Sequence, residues 1–261
     1  MSPASNARLD ARIPPPRLAR VMQHRWEQLL FAHWRISPQA VQATLPRELT
    51  VDTFEGRAYL GITPFFMANV RAAGLPRLPW VSHFQELNVR TYVYDEEGVP
   101  GVWFYSLDCN QPLAVLAARA LLGLPYFSSR MTARKSAWID YTSTRIGTDL
   151  CARYRYRGVG EAATAELGSL EFFLLERYCL YSAHKALRRP LRVRVSHPPY
   201  AFRHAETEEV SSIPAALDGF SLTGDPDHLC MVERIDVNVH LPERPLKSPS
   251  VLCDRIAPVE N

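Results

Sequence analysis

Lysine is scarce in this chain of 261 residues: only Lys135, Lys185 and Lys247 occur, and all other basic side chains except histidine are arginines. Chemistry that depends on a primary amine is therefore restricted to three positions. Because Lys+Arg amounts to 30 and Asp+Glu to 27, the formal net charge is only +3 at pH 7. A charge this close to zero gives no indication of a nucleic-acid or membrane partner.

Long apolar runs and cysteine pairs are missing as well. The best candidate for a membrane span, residues 113–124, is shorter than the roughly 18 residues that a span requires, and it contains Arg119. The N-terminal segment carries arginines without the apolar core of a secretory signal. The five cysteines form no CxxC pair, which argues against a disulfide framework and a thiolate zinc site. We therefore expect a reduced, soluble, cytoplasmic protein.

Several motifs of common enzyme and binding classes are also absent. The chain has no GxSxG, no P-loop and no GxGxxG, and its eight histidines form no HxH, HxxxH or HExxH. We therefore expect neither a metal nor another cofactor. Arginines alternate with tyrosine or valine in residues 153–157 and 192–195, which is typical of a strand with one solvated face. This pattern predicts no nucleic-acid partner.

The order of predicted elements indicates one β-rich α+β domain with a few short helices. Three prolines at residues 14–16 prevent regular structure, so we expect residues 1–20 to form a flexible arm and residues 21–261 a single domain. Cap and proline signals predict helices over residues 37–45, 112–123 and 169–178. Strand patterns cover residues 59–70, 84–94, 102–108, 129–141, 150–157, 179–183, 191–195 and 230–241, and residues 205–228 are rich in loop formers.

Residues 84–94 alternate between polar and apolar side chains. Glu86, Asn88 and Arg90 fall on one face of the predicted strand, and Leu87 and Val89 fall on the other. Such a polar row is typical of a sheet surface that faces solvent. The same row inside a polar-lined barrel would have to be paired and is where ligands often bind. The pattern alone leaves both interpretations open.

Three stretches together resemble the acetoacetate decarboxylase-like superfamily. They are residues 33–52, the strand that begins at residues 84–86, and the helix that leads from Leu107-Asp108 to Pro125. The phrases FQELNVRTYV, SLD, GLPY and GSLEFFLLERY are similar to those of its uncharacterised YqjF-like branch. The resemblance implies an antiparallel β-barrel or curved sheet with a few short helices, and it implies a homo-oligomer.

The resemblance also implies a departure at the reactive position. In the decarboxylases a Pro-Lys-Lys step follows the helix, and its first lysine forms a Schiff base with the keto acid. The matching residues here are Pro125, Tyr126 and Phe127, none of which can form an imine. Lys135 lies ten residues beyond Pro125, roughly 30 Å along an extended strand. We therefore do not expect a Schiff-base decarboxylase.

Glu86 matches the active-site glutamate of the superfamily. In a closed pocket, desolvation would raise the pKa of its carboxyl group and allow proton transfer. Tyr126 would stand where the amine was and donate a hydrogen bond to a carbonyl. We expect Asn88 and Arg90 to bind the substrate, with Arg90 holding a carboxylate, or alternatively forming an ion pair with Glu86.

Two functions follow from these residues. One is an enzyme with lyase- or isomerase-type chemistry on a small carbonyl or carboxylate compound, with Glu86 as acid or base. The alternative is a small-molecule-binding barrel protein without catalysis, in which the same side chains only orient the ligand.

Overall fold

The computed structural model describes residues 3, 5–74, 76, 80–183 and 190–243. Their helices and strands follow the order α1 Ser5–Ala11, β1 Arg20–Ile36, α2 Pro38–Gln42, β2 Leu49–Val51, β3 Ala58–Ala72, β4 Phe84–Asp95, β5 Pro100–Cys109, α3 Pro112–Leu122, β6 Tyr126–Lys135, β7 Ile139–Arg145, β8 Cys151–Ala163, α4 Leu170–Leu175, β9 Cys179–Ser182, β10 Leu191–Ser196, β11 Phe202–Val210, α5 Ile213–Leu217 and β12 His228–His240.

One curved sheet contains all twelve of these strands. Its order is β10-β9-β5-β6-β7-β8-β11-β12-β1-β3-β4-β2, and β4 also pairs with β5 while β10 also pairs with β12. Because these additional pairs join strands that are far apart in the order, the sheet curves back on itself. The prediction of a β-rich α+β fold with a curved sheet is confirmed.

The sheet is not antiparallel throughout, because β5 pairs in parallel with β6 and with β9. For β5 and β6 the physical reason is the crossover helix α3 between them. It returns the chain to the end of the sheet at which β5 begins, so β6 runs in the same direction as β5. Local signals set the ends of this helix. The Gln111 side chain accepts from the backbone N–H of Leu113, and Gly123 ends the helix in the left-handed conformation.

Two of the predicted elements were wrong. Residues 129–141 form two strands, since β6 ends at Lys135 and a tight turn leads into β7 at Ile139. Residues 205–228 contain most of β11 and all of α5, although loop formers dominate that stretch. Cross-strand charge explains β11: Glu206 of this strand pairs with Arg157 of β8, an interaction that single-strand patterns do not reveal.

Pro64 lies in β3, a central strand between β1 and β4. The register between β1 and β3 shifts between Glu27 and Ala32, so a bulge of β1 lies opposite Pro64. At a bulge the regular ladder of hydrogen bonds between the strands is interrupted. Proline, which has no backbone N–H, therefore costs no hydrogen bond at this position. Pro64 was predicted to mark either an edge strand or a bulge, and the bulge is confirmed.

Part of the predicted arm is helical and is held against the sheet. Arg8 of α1 is buried, and its guanidinium lies 2.7 Å from the Oδ2 atom of the fully buried Asp52. The boundary between arm and domain at residue 20 stays a prediction. Within the part of the chain that the structure describes, no helix is long and apolar enough to cross a membrane.

Candidate functional site

The polar row of β4 is buried. Glu86 and Asn88 are each 4% exposed and Arg90 is 8% exposed, so the solvent-facing interpretation was wrong. Both faces of β4 carry apolar cover: Leu87 and Val89 belong to one buried cluster, and Phe31 and Phe65, on strands β1 and β3, belong to another. Burial on two faces makes this row a site whose polar groups need partners.

Glu86 and Tyr126 meet because of the strand pairing. Glu86 lies opposite Cys109 of β5, and the parallel partner β6 begins at Tyr126, opposite Leu107. The Tyr126 hydroxyl donates a hydrogen bond of 2.8 Å to the Oε2 atom of Glu86. The Tyr141 hydroxyl donates to the backbone carbonyl of Glu86 at 2.9 Å, which fixes the backbone of the same residue. The structure thus joins the two residues that the sequence proposed as catalytic.

Burial determines the proton affinity of this pair. Desolvation raises the pKa of Glu86 from 4.5 to about 7, although the hydrogen bond from Tyr126 acts in the opposite direction. Desolvation also raises the pKa of Tyr126 well above its ordinary value, so the phenol stays protonated and remains a donor. A carboxyl group with a pKa near neutrality is suited to exchange protons with a bound compound.

Arg90 does not pair with Glu86. The two residues are four positions apart on one strand, which separates their Cα atoms by roughly 13 Å. Among the described residues no carboxylate forms an ion pair with Arg90, and its Nε atom has no hydrogen-bond partner. Its guanidinium instead lies 4.9 Å from the ring centroid of Phe31 and 5.9 Å from that of Tyr92. A buried cation without a counter-ion is a ready binding group for a carboxylate.

Asn88 adds a second unpartnered polar group, and Thr63 adds a third. Thr63 of β3 is the cross-strand neighbour of Asn88. In the described part of the chain, the Oδ1 atom of Asn88 and the Oγ1 atom of Thr63 are buried without a hydrogen-bond partner. Buried polar atoms of this kind are mostly satisfied by water or a ligand. Sequence reasoning missed Thr63, because the pairing of β3 with β4 is a tertiary fact.

A buried pair of side chains supports the Arg90 end of the row. The Nε2 atom of His33 lies 2.6 Å from the Tyr92 hydroxyl, and its Nδ1 atom lies 3.0 Å from Nδ1 of His228. Desolvation lowers the pKa of His33 well below its ordinary value, so the ring is uncharged. Gly61 makes room for it: a Cβ at that position would lie 3.0 Å from His33 and 3.5 Å from Arg90. No sequence pattern indicates this contact, because His33 and His228 are isolated in the chain.

No lysine among the described residues reaches Glu86. Lys135 ends β6, at the opposite end from Tyr126, with its Nζ atom 3.5 Å from Glu27 and 3.9 Å from the ring centroid of Phe66. Lys185 and Lys247 lie outside the described residues. Within the described ranges, no group of three or more histidine, cysteine or acidic side chains is arranged to hold a metal ion.

A cleft of about 820 Å³ lies beside α3, and we call it the α3 cleft. Side chains of β5, α3, β6 and β9 line it, mostly aromatic or aliphatic ones. Tyr126 is one of its lining residues, whereas Glu86, Asn88 and Arg90 are not. Tyr126 therefore stands between the cleft and the buried carboxyl group to which its hydroxyl donates.

Comparison with known sequences gives two matches that cover most of the chain. The model of the family DUF2071, described as an uncharacterised conserved protein, matches residues 23–236. The uncharacterised protein YqjF of Bacillus subtilis (strain 168) is 37% identical over 205 residues, which covers 78% of this chain and 83% of YqjF.

Solved structures with a similar fold are acetoacetate decarboxylase-like. The enduracididine biosynthesis enzyme MppR complexed with pyruvate aligns with a TM-score of 0.60 and 14% identity, covering 89% of this chain and 93% of its own. The acetoacetate decarboxylase of Legionella pneumophila aligns at 0.60 with 10% identity, covering 89% and 93%. An acetoacetate decarboxylase-like enzyme from Sphingomonas wittichii RW1 aligns at 0.58 with 16% identity, covering 87% and 93%. At these identities the likeness shows the fold.

Proposed function

This chain belongs to the DUF2071 family of uncharacterised conserved proteins, and on that premise we propose that it binds a small carbonyl or carboxylate compound on the buried polar face of β4. We propose further that Glu86 exchanges a proton with the bound compound, in lyase- or isomerase-type chemistry. The observation that carries this proposal is the buried Glu86 carboxyl group, with its pKa of about 7 and its hydrogen bond from Tyr126. The pyruvate in MppR, a protein of the same fold, supports the class of ligand.

Each polar side chain has a separate task in this proposal. Arg90 binds the carboxylate, because its buried guanidinium forms no ion pair with the described residues. Asn88 and Thr63 orient the ligand through their unpartnered oxygen atoms. Glu86 in its ionised form removes a proton next to the carbonyl. Since the carboxyl group is then neutral, the Tyr126 hydroxyl is released to donate to the developing enolate oxygen.

The proposed reaction proceeds without an imine. The residues after α3 are Pro125, Tyr126 and Phe127, and Lys135 contacts Glu27 instead of Glu86. A hydrogen bond from a phenol stabilises an enolate less than an iminium stabilises the corresponding carbanion. We therefore propose proton transfer next to a carbonyl and no Schiff-base decarboxylation. A cytoplasmic location and a homo-oligomeric state stay predictions.

The second candidate function is binding without catalysis. The 2.8 Å hydrogen bond from Tyr126 to Glu86 favours it, because that bond commits the only hydroxyl proton of Tyr126 to the carboxylate. In this case the polar row of β4 selects and orients a ligand that leaves unchanged.

Deuterium exchange distinguishes these two functions. Pyruvate and 2-oxobutyrate are incubated with the protein in D2O, and NMR follows the loss of the proton signals next to the carbonyl. We expect the wild type to catalyse the exchange and Glu86→Gln to bind the same keto acids without catalysing it. Arg90→Gln should bind them about 10- to 100-fold more weakly, as expected for a lost charge-assisted contact.

Glu27→Gln is the matched control, because Glu27 is a half-buried carboxylate of the same sheet that forms an ion pair with Lys135. It should exchange protons at the wild-type rate. Keto-acid binding without exchange by the wild type would refute the catalytic proposal and leave the binding function. Absence of binding in calorimetry would refute both.

A further inference from the structure

The α3 cleft has the size and lining of a ligand site of its own. Its volume of about 820 Å³ lies in the range of roughly 300–1,000 Å³ that small-molecule sites occupy. The walls include Trp103 and Tyr105 of β5, Leu116 of α3 and Phe127 of β6. None of these side chains belongs to the polar row of β4, so the cleft is not explained by the function proposed above.

Helix α3 extends this apolar surface beyond the cleft. Leu113, Leu116 and Leu121 are 61%, 66% and 72% exposed, although leucine is normally buried. At about 100° per residue, Leu113, Leu116 and the exposed Ala117 and Ala120 fall within about 100° of the helix circumference and form one stripe, whereas Leu121 lies about 140° from Leu116 and is not part of it. The stripe runs for about 10 Å along the helix axis, since each residue adds about 1.5 Å.

One cation stands at this apolar surface. Arg119 lines the cleft, and its Nε atom donates a 2.6 Å hydrogen bond to the backbone carbonyl of Tyr126. Its guanidinium also lies 5.8 Å from the ring centroid of Phe127. In the described ranges Arg119 forms no ion pair with a carboxylate. These two contacts hold the guanidinium in place while its terminal nitrogens remain available to an anion.

We infer that the α3 cleft binds a straight-chain monocarboxylate of about ten to twelve carbons. Its alkyl chain lies against the leucine stripe and the aromatic wall, and its carboxylate pairs with Arg119. Among the described lining residues Arg119 is the one cation, and an apolar wall with one tethered cation matches an amphiphile with one negative charge better than a small polar metabolite. This site stands whether or not Glu86 transfers protons, because none of its lining residues other than Tyr126 takes part in that proposal.

Quenching of Trp103 tests this inference. A bromine atom quenches tryptophan fluorescence only at close contact, and Trp103 lies in the wall of the cleft. Titration of the full-length protein with ω-bromododecanoate, below its micelle concentration, should give saturable quenching that disappears in Trp103→Phe. Dodecanoate should displace the probe, and each methylene removed from it should weaken binding about two- to fourfold.

Three variants assign the contacts. Leu116→Glu should weaken binding more than tenfold, because it puts a charge on the apolar wall at a position that is 66% exposed and tolerates it in the fold. Arg119→Gln should weaken dodecanoate about tenfold and leave dodecanol unchanged. Leu150→Glu is the matched control: this leucine is 51% exposed away from the cleft, so binding should stay at the wild-type level.

The outcomes separate this site from the proposed function. Saturable quenching that Glu86→Gln leaves intact supports the cleft even if keto acids never bind. Quenching that does not saturate, or that is equal in Leu116→Glu and the wild type, overturns the inference. Calorimetry with dodecanoate decides the same question if Trp103→Phe fails to fold.

Discussion

Replacing Glu86 with glutamine will change how the stability of the protein depends on pH. The pKa of this carboxyl group is about 7 in the folded protein against 4.5 ordinarily, because burial disfavours its charged form. Between these values the folded state holds more protons than the unfolded state, so the free energy of unfolding falls as pH rises. The stability associated with Glu86 is fully present below about pH 4.5 and is lost as pH rises through 7.

The magnitude follows from the two pKa values. One unit of pKa difference corresponds to about 1.36 kcal/mol, so the wild type should lose about 2.5 kcal/mol between pH 5 and pH 8 through this residue. Glu86→Gln has nearly the same shape and retains an acceptor for the Tyr126 hydroxyl, yet it does not ionise. The variant should therefore gain about 2.5 kcal/mol relative to the wild type over the same pH interval.

Urea unfolding followed by circular dichroism at pH 5, 6, 7 and 8 measures this difference. The difference between the two proteins is the quantity to plot, because other groups titrate in the same interval. Burial lowers the pKa of His24 and His197 to about 4, which makes the protein more stable as pH rises toward 6.5. These contributions cancel between wild type and variant. A difference that stays constant from pH 5 to pH 8 would refute the reasoning.

Two further predictions concern buried contacts around the site. Asp52→Asn leaves Arg8 and Arg177, each 2.7 Å from Asp52, without their shared counter-charge and should cost about 3–5 kcal/mol. Arg8→Ala should cost only about 1–2 kcal/mol, since Asp52 keeps Arg177; equal losses in urea unfolding would contradict this ranking. Tyr92→Phe removes the 2.6 Å partner of His33 and should cost about 1–3 kcal/mol, and a shift in the ¹⁵N signals of His33 should report the lost contact.

Local signals explain why much of the fold was predictable. Ser37 and Ser169 cap α2 and α4 with their side chains, and both caps were readable from the sequence. The alternation in residues 84–94 correctly assigned Glu86, Asn88 and Arg90 to one face. It did not show that this face is buried, because the cover comes from β1 and β3, whose positions depend on the curvature of the whole sheet.

The site was predictable only in part for a related reason. The resemblance to a known family pointed to Glu86 and Tyr126, and the structure joins them by a hydrogen bond, while their chemical roles stay predictions. The unpartnered Thr63 and the contact between His33 and Tyr92 depend on the register between separate strands. Register is set by tertiary packing, so no pattern within a single strand could reveal these groups.

The position of β1 also constrains when the sheet can be completed during synthesis of the chain. Strand β1 begins at Arg20, yet one of its two neighbours in the sheet is β12, in which Ile235 pairs with Trp26. Until β12 has been synthesised, one edge of β1 therefore presents unpaired backbone N–H and C=O groups. The sheet closes around β1 only after His228–His240 have emerged from the exit tunnel. Completion of this fold therefore waits for β12, and the nascent chain depends on shielding of that edge until then.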